Sequence, residues 1–174
     1  STLVKILSGI HQPDRGILLM DGQAASFSTP AIPRSLGIVP VHQTIADTGI
    51  MEMSVAENLV LDTWKGGSVW LSPRTIRKQA ALIARSTGLT CDLDAPFAAL
   101  GLAERQLVAI SRAFASRPRL LILDEPTASL SQQEACKIHT CLDSLRALGT
   151  AVLLVSHKTA DILRLADCAV VLRN

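Results

Sequence analysis

The sequence predicts an α/β fold built on a parallel sheet, and two observations support that prediction. The last third of the chain alternates short apolar runs with longer segments bounded by helix-start and helix-stop residues. This alternation is typical of parallel strands joined by helices. The second observation is the run 120–123, which contains only Leu and Ile, as expected of a strand that is covered on both faces.

The composition is that of a single globular domain. The chain has 174 residues, 48% of them apolar, which is enough for a sizeable core. The net charge is +2 and no run of Lys or Arg stands out, so no nucleic-acid partner is expected. The 4 cysteines lack the CxxC spacing of a zinc site, and no apolar run is long enough to span a bilayer.

The elements follow from local signals along the chain. Helices are predicted from apolar spacing, caps and stops over residues 1–10, 54–61, 72–87, 103–116, 131–148 and 159–165. Strands are predicted where short apolar runs occur, over residues 17–20, 37–41, 120–123, 151–155 and 168–172. The sharpest local signals are Ser54 with Glu57 three residues later, which is a capping-box pattern, and Gly88 as a helix stop.

Two carboxylates, Asp124 and Glu125, follow the apolar strand 120–123. Ligands of open α/β sheets bind at the carboxyl ends of the strands. Because adjacent strand residues point to opposite faces, we expect the two carboxylates to have different tasks. One can hold Mg²⁺ through water, and the other can polarise an attacking water. The alternative is an ordinary acidic turn after a strand.

Four weaker features accompany this pair. Ser1 and Thr2 open an apolar helix, Gln43 follows the strand 37–41, residues 100–110 form a small-residue turn leading into a helix, and His157 follows the strand 151–155. Each one alone is explained by a helix start, a surface Gln or a structural His. Their joint order along the chain is what indicates a function.

In that order, the whole chain resembles the nucleotide-binding domain of ABC transporters. Ser1 and Thr2 match the tail of Walker A, Gln43 matches the Q-loop glutamine, and His157 matches the switch histidine. The signature motif falls on Leu100, Gly101, Leu102, Ala103 and Glu104. Asp124 matches the Walker B aspartate, Glu125 the catalytic glutamate and residues 128–131 the D-loop. The stretches GIVPVHQ, SVAENLVL, AERQLVAISRA and DEPTASLS further resemble importers of sugars such as ribose, galactose or xylose.

The resemblance implies a P-loop NTPase fold, with a RecA-like parallel-sheet core and a helical subdomain inserted at about residues 44–116. Residues 1–174 would be one ABC ATPase domain, lacking its first strand and most of Walker A. Ser1 and Gln43 would ligate Mg²⁺, with Asp124 acting through water. Glu125 would be the general base for ATP hydrolysis, and His157 would hold the γ-phosphate.

The implied partners are a second ABC ATPase domain, transmembrane permease subunits facing residues 44–64, and indirectly a periplasmic substrate-binding protein. The implied location is the cytoplasmic face of the inner membrane. Two alternatives stay open: a soluble ABC ATPase acting on nucleic acid or ribosomes, and a regulatory, non-hydrolysing ABC half.

The signature departs from the usual Leu-Ser-Gly-Gly-Gln. Gly101 lacks the hydroxyl that serine would offer to the γ-phosphate, although its backbone N–H is expected to remain available. Leu102 adds bulk and Glu104 adds negative charge near the phosphate. In the D-loop, Ser131 stands where an aspartate is usual. We therefore expect the site that uses this signature to hydrolyse ATP slowly.

Overall fold

The computed structural model describes residues 2–41, 49–63 and 72–172. The helices are α1 (Thr2–Leu7), α2 (Ala31–Ser35), α3 (Val55–Val60), α4 (Pro73–Thr87), α5 (Leu102–Ala115), α6 (Gln132–Ala147) and α7 (Thr159–Leu165). The strands are β1 (Leu18–Met20), β2 (Gln23–Ala25), β3 (Ile38–Val41), β4 (Leu120–Asp124) and β5 (Ala151–Val155). The predicted site residues Ser1 and Gln43 lie outside the described residues.

The centre of the fold is a parallel sheet with the strand order β3-β4-β5. The middle strand β4 is covered on both faces, which confirms the prediction made from its apolar run. Leu121 and Leu123 pack in a core cluster with residues of α5 and α6. Ile122, which points the other way, packs with Val4 of α1 and with Phe27. The carboxyl ends of all three strands therefore meet at one edge, where polar side chains can converge.

A β-hairpin precedes the sheet, and its return strand was not predicted. β1 and β2 pair antiparallel through a two-residue turn of Asp21 and Gly22, whose φ angles are 52° and 78°. Positive φ at both positions is typical of the tight turn that Asp-Gly favours between antiparallel strands. Arg119 fixes the turn with bidentate hydrogen bonds of 2.9 and 3.0 Å to the Asp21 carboxylate. The return strand escaped prediction because Gln23–Ala25 is short and largely exposed.

Helices α3, α4 and the start of α5 enclose a second apolar cluster, which includes Val55, Leu59, Phe97 and Val108. The predicted capping box is confirmed: the Ser54 side chain accepts from the N–H of Glu57, whose carboxylate accepts from the N–H of Ser54. The predicted stop of α4 is also confirmed, because Gly88 adopts the left-handed conformation with φ 70°.

Two predicted elements differ from the structure by more than one residue at an end. The first helix ends at Leu7, because Gly9 (φ 71°) and Ile10 close a turn onto the carbonyls of Ile6 and Lys5. The strand predicted over 168–172 is wrong. No strand of the described chain pairs with it, and its apolar side chains are 73–84% exposed at positions 170–172. An apolar run cannot form a strand without a neighbouring ladder. Within the described residues, no helix has both the length and the apolar character needed to cross a bilayer.

Candidate catalytic edge of the parallel sheet

The candidate site lies where β4 and β5 end. The parallel register places Asp124 level with Val155, so the residues that follow each strand are neighbours. The backbone N–H of Glu125 donates to the carbonyl of Val155 at 2.8 Å and extends the pairing by one residue. Sheet register therefore brings Asp124, Glu125 and His157 to a single edge, as the sequence predicts.

Glu125 does not continue the pleat of β4. Its φ angle is 52°, in the left-handed region that glutamate rarely adopts. The different orientation of the two carboxylates thus comes from a backbone turn at Glu125, which corrects our expectation of simple strand alternation. Such a conformation costs about 1–3 kcal/mol, and it persists where surrounding contacts enforce it, often at functional sites.

The Glu125 carboxylate contacts the loop after β5. Its Oε1 accepts a hydrogen bond from the backbone N–H of His157 at 3.0 Å and lies 2.8 Å from Nδ1 of the same residue. Its Oε2 is buried and accepts no hydrogen bond from the described residues. A buried carboxylate oxygen without a donor is costly, and an attacking water is a donor that could satisfy it.

His157 is much more accessible than its partner: its side chain is 72% exposed, against 20% for Glu125. A protonated imidazole has two N–H donors. With Nδ1 facing Glu125, Nε2 of such a ring is left to donate to an anion such as phosphate. The arrangement can therefore hold a carboxylate and a phosphate on opposite sides of one ring.

Asp124 ends β4 and is partly buried. It fits a role at Mg²⁺, because this ion is usually held by one or two carboxylates together with substrate phosphates. The other two predicted ligands, Ser1 and Gln43, lie outside the described residues. In the described ranges, no group of three or more His, Cys, Asp or Glu side chains is arranged to hold a metal by itself.

The signature segment forms the N-terminus of α5, and Gly101 is its N-cap residue. The Gly101 N–H donates to Oε2 of Glu104 at 3.0 Å. This corrects the expectation that the N–H remains available, because a glutamate three residues into a helix can reach back to the cap. Leu102 is 37% exposed, whereas Ala103 is 4% exposed, so the Ala103 side chain is not presented to a nucleotide. Thr2 begins α1.

One polar cluster beside the edge was missed by the sequence reading. Thr127 Oγ1 donates to Oδ2 of Asp161, and Oδ1 of Asp161 lies 3.0 Å from Nε2 of His139. The available signal was helical spacing: Asp161 lies four residues before the buried Leu165, on the face of α7 that packs inward. A carboxylate at such a position indicates a buried polar contact.

Comparisons with known proteins identify a family and similar sequences. The family description "ABC transporter" matches residues 1–128. The chain is 36% identical over 174 residues to an arabinose import ATP-binding protein of Burkholderia ambifaria, and 38% identical over 175 residues to a ribose import ATP-binding protein of Rhizobium johnstonii. Both alignments include 100% of this chain, which spans 34% of each relative.

A solved structure is similar in fold. The crystal structure of the ADP conformation of an ATP-binding cassette of an ABC transporter superposes with a TM-score of 0.77 at 25% identity. The superposition covers 93% of this chain and 67% of the other.

Proposed function

Because the chain belongs to the ABC transporter family and has its α/β, P-loop NTPase fold, we propose that it binds and hydrolyses MgATP to power import of a monosaccharide. The observation that carries the hydrolytic part is the contact between the Glu125 carboxylate and His157 at the edge of the parallel sheet. The similarity to arabinose and ribose import proteins supports the sugar.

In this proposal Glu125 is the general base. Its Oε1 is held by the N–H of His157, which leaves Oε2 to accept a proton from water. Proton transfer to a positioned carboxylate typically contributes ~10²–10⁴-fold to the rate. The switch residue His157 would hold the γ-phosphate through its exposed ring nitrogen.

Asp124 would hold Mg²⁺ through water, together with Ser1 and Gln43. Bound Mg²⁺ would neutralise charge on the phosphates. Thr2 would offer the amide of a helix start to the phosphates.

The proposed site is completed by a second ABC ATPase domain. In that arrangement Gly101, Leu102 and Glu104 of this chain would face the nucleotide bound by the partner, while the buried Ala103 side chain would pack beneath them. Residues 44–64 would contact transmembrane permease subunits at the cytoplasmic face of the inner membrane. A periplasmic substrate-binding protein would deliver the sugar to those subunits.

The test is ATP-driven uptake by the full-length protein, reconstituted with its membrane subunits in liposomes. We expect ATP-dependent accumulation of labelled arabinose or ribose when the binding protein is present, and none with Glu125→Gln. Robust ATPase activity without uptake of any monosaccharide would favour a non-transport ATPase. Nucleotide binding by the wild type without hydrolysis would favour a regulatory half.

A further inference from the structure

A buried carboxylate joins three elements beside the proposed catalytic edge. Asp161 of α7 is 4% exposed, and Thr127, in the turn after β4, is 1% exposed. The hydroxyl of Thr127 donates to Oδ2 of Asp161. Oδ1 of Asp161 lies 3.0 Å from Nε2 of His139 on α6. The turn, α6 and α7 are thus linked through one side chain that the proposed hydrolysis does not itself use.

Thr127 and Asp161 lie beside the two segments that bear the proposed catalytic residues: the turn after β4, with Glu125, and the loop after β5, with His157. Thr127 lies two positions after Glu125, and Lys158 directly follows His157. The Lys158 ammonium donates to the carbonyl oxygen of Thr127. The N–H and Nδ1 of His157 also contact the Glu125 carboxylate, so the two loops touch each other directly. Asp161 supplies a further link, because it lies on the helix that begins just after Lys158.

Burial argues that the carboxylate has a positional role. A charged group withdrawn from water is costly unless it is well paired, and an apolar residue of similar size would often be at least as stabilising. Leu165, one turn further along α7, packs in the apolar core cluster, so an apolar side chain would also fit this face. In contrast, the strained φ of 52° at Glu125 needs contacts that enforce it.

We propose that Asp161, acting through Thr127, is a positioning residue that holds the turn bearing Glu125 against the loop bearing His157. The catalytic consequence rests on the proposed ATPase function, whereas the mechanical link between the two loops does not. Misplacement of a catalytic group by about 1 Å can cost ~10²-fold in rate, so loosening the link should lower turnover more than nucleotide binding.

The test compares three substitutions in the full-length protein. Thr127→Val removes the hydroxyl and keeps the shape, while Thr127→Ser keeps the hydroxyl. Thr87→Val is the matched control, because Thr87 is also buried (2% exposed) and its hydroxyl accepts from Ser111 at 2.8 Å, between α4 and α5. If Thr127→Val does not fold, Asp161→Asn takes its place, since it removes the charge at nearly constant size.

Two readouts separate positioning from simple stability. The first is kcat for ATP hydrolysis against the Kd for ATP: Thr127→Val should lose about ten-fold in kcat, with Kd within about two-fold of wild type. The second is amide hydrogen exchange, in which the protection of Glu125 and His157 should fall by about ten-fold. Thr127→Ser should restore both quantities, and Thr87→Val should change neither despite lowering Tm.

Unchanged protection of both amides in Thr127→Val overturns the proposal, and so does an equal loss of kcat in Thr87→Val. A wild-type protein without ATPase activity overturns the proposed function instead. In that case the exchange comparison still decides whether Asp161 and Thr127 hold the two loops together.

Discussion

The carboxylate of Glu125 and the imidazole of His157 contact each other across the ends of two neighbouring parallel strands, with Oε1 2.8 Å from Nδ1. The contact spans 32 positions of sequence and depends on the register that sets Asp124 beside Val155. It couples the proposed base to the proposed phosphate-binding residue, and the predictions on turnover start from it.

Glu125→Gln should nearly abolish ATP turnover while nucleotide binding is kept. The amide oxygen can still accept from the N–H of His157, but an amide is a far poorer base than a carboxylate. We expect kcat to fall by ~10²–10⁴-fold, measured by phosphate release at saturating ATP. Glu134→Gln, at a partly buried glutamate that caps α6 away from β4 and β5 in sequence, is the matched control and should retain its kcat. Near-normal hydrolysis by Glu125→Gln would show that another group is the base.

His157→Ala should slow hydrolysis because it removes the ring that contacts Glu125 and is proposed to hold the γ-phosphate. A hydrogen bond to a charged group is worth about 1.5–3 kcal/mol, so kcat should fall about ten- to a hundred-fold. The control is His11→Ala, since His11 is exposed and far along the chain from the sheet edge. The assignment fails if both alanine variants hydrolyse ATP at the same rate.

Gly101→Ser should accelerate ATP hydrolysis at the site that the signature of this chain is proposed to complete in the partner domain. A side chain at Gly101 is tolerated: φ is −68°, and an added Cβ would meet only Oε2 of Glu104, at 3.7 Å. The new hydroxyl could donate to the γ-phosphate, for a gain of about ten- to a hundred-fold at that site. Gly101→Ala adds the same Cβ without the hydroxyl and serves as the matched control.

The measurement is the ATPase activity of the full-length protein, with the phosphate-binding lysine of the Walker A motif mutated in one domain at a time. Unequal losses from the two mutations are expected, because Glu104 already occupies the Gly101 N–H and adds negative charge at this helix N-terminus. Equal losses, together with equal activities for Gly101→Ser and Gly101→Ala, would rule out one fast and one slow site.

The capping box of α3 should contribute stability that depends on pH. Hydrogen bonds from the hydroxyl and N–H of Ser54 hold the pKa of Glu57 below its ordinary value of 4.5. A lowered folded-state pKa stabilises the fold above that ordinary value, and the contribution is lost as pH falls through the folded-state pKa. Ser54→Ala should therefore cost about 1 kcal/mol at neutral pH and less at strongly acidic pH.

Urea unfolding at both pH values measures this difference, with Ser86→Ala as the control. Ser86 is exposed near the end of α4, and its hydroxyl donates to the carbonyl of Ile83 instead of capping a helix. A Ser54→Ala penalty that is the same at both pH values would show that the Glu57 carboxylate adds nothing to the cap.

Cys141 should resist alkylation although the exposed cysteines react. Burial in the core on α6 raises the pKa of its thiol to about 12, so almost no thiolate is present at neutral pH. Cys136 and Cys168 are exposed. Iodoacetamide labelling followed by mass spectrometry should modify these two first. Equal labelling rates for Cys141 and Cys136 would mean that α6 does not pack as described.

Local signals predicted much of this fold. Helix α4, from Pro73 to Thr87, was predicted within one residue because its Ser72 cap and its Gly88 stop flank it directly in sequence. Strand β5 and helix α7 were predicted with their observed bounds. The strand expected over 168–172 was wrong, because a strand depends on a partner that its own residues do not specify.

The candidate site likewise has features that the sequence predicted and features that only the folded structure decided. The sequence alone determined that Asp124, Glu125 and His157 follow apolar strands, since hydrophobic runs and the residues that end them are local properties of the chain. The tertiary structure alone decided that Glu125 turns into a left-handed conformation, and that Thr127 meets Asp161 across 34 positions of sequence. The reason is that strand register and the pairing of buried polar groups depend on contacts between segments that are distant in sequence. Those contacts form only when the chain folds, so no local stretch of sequence specifies them.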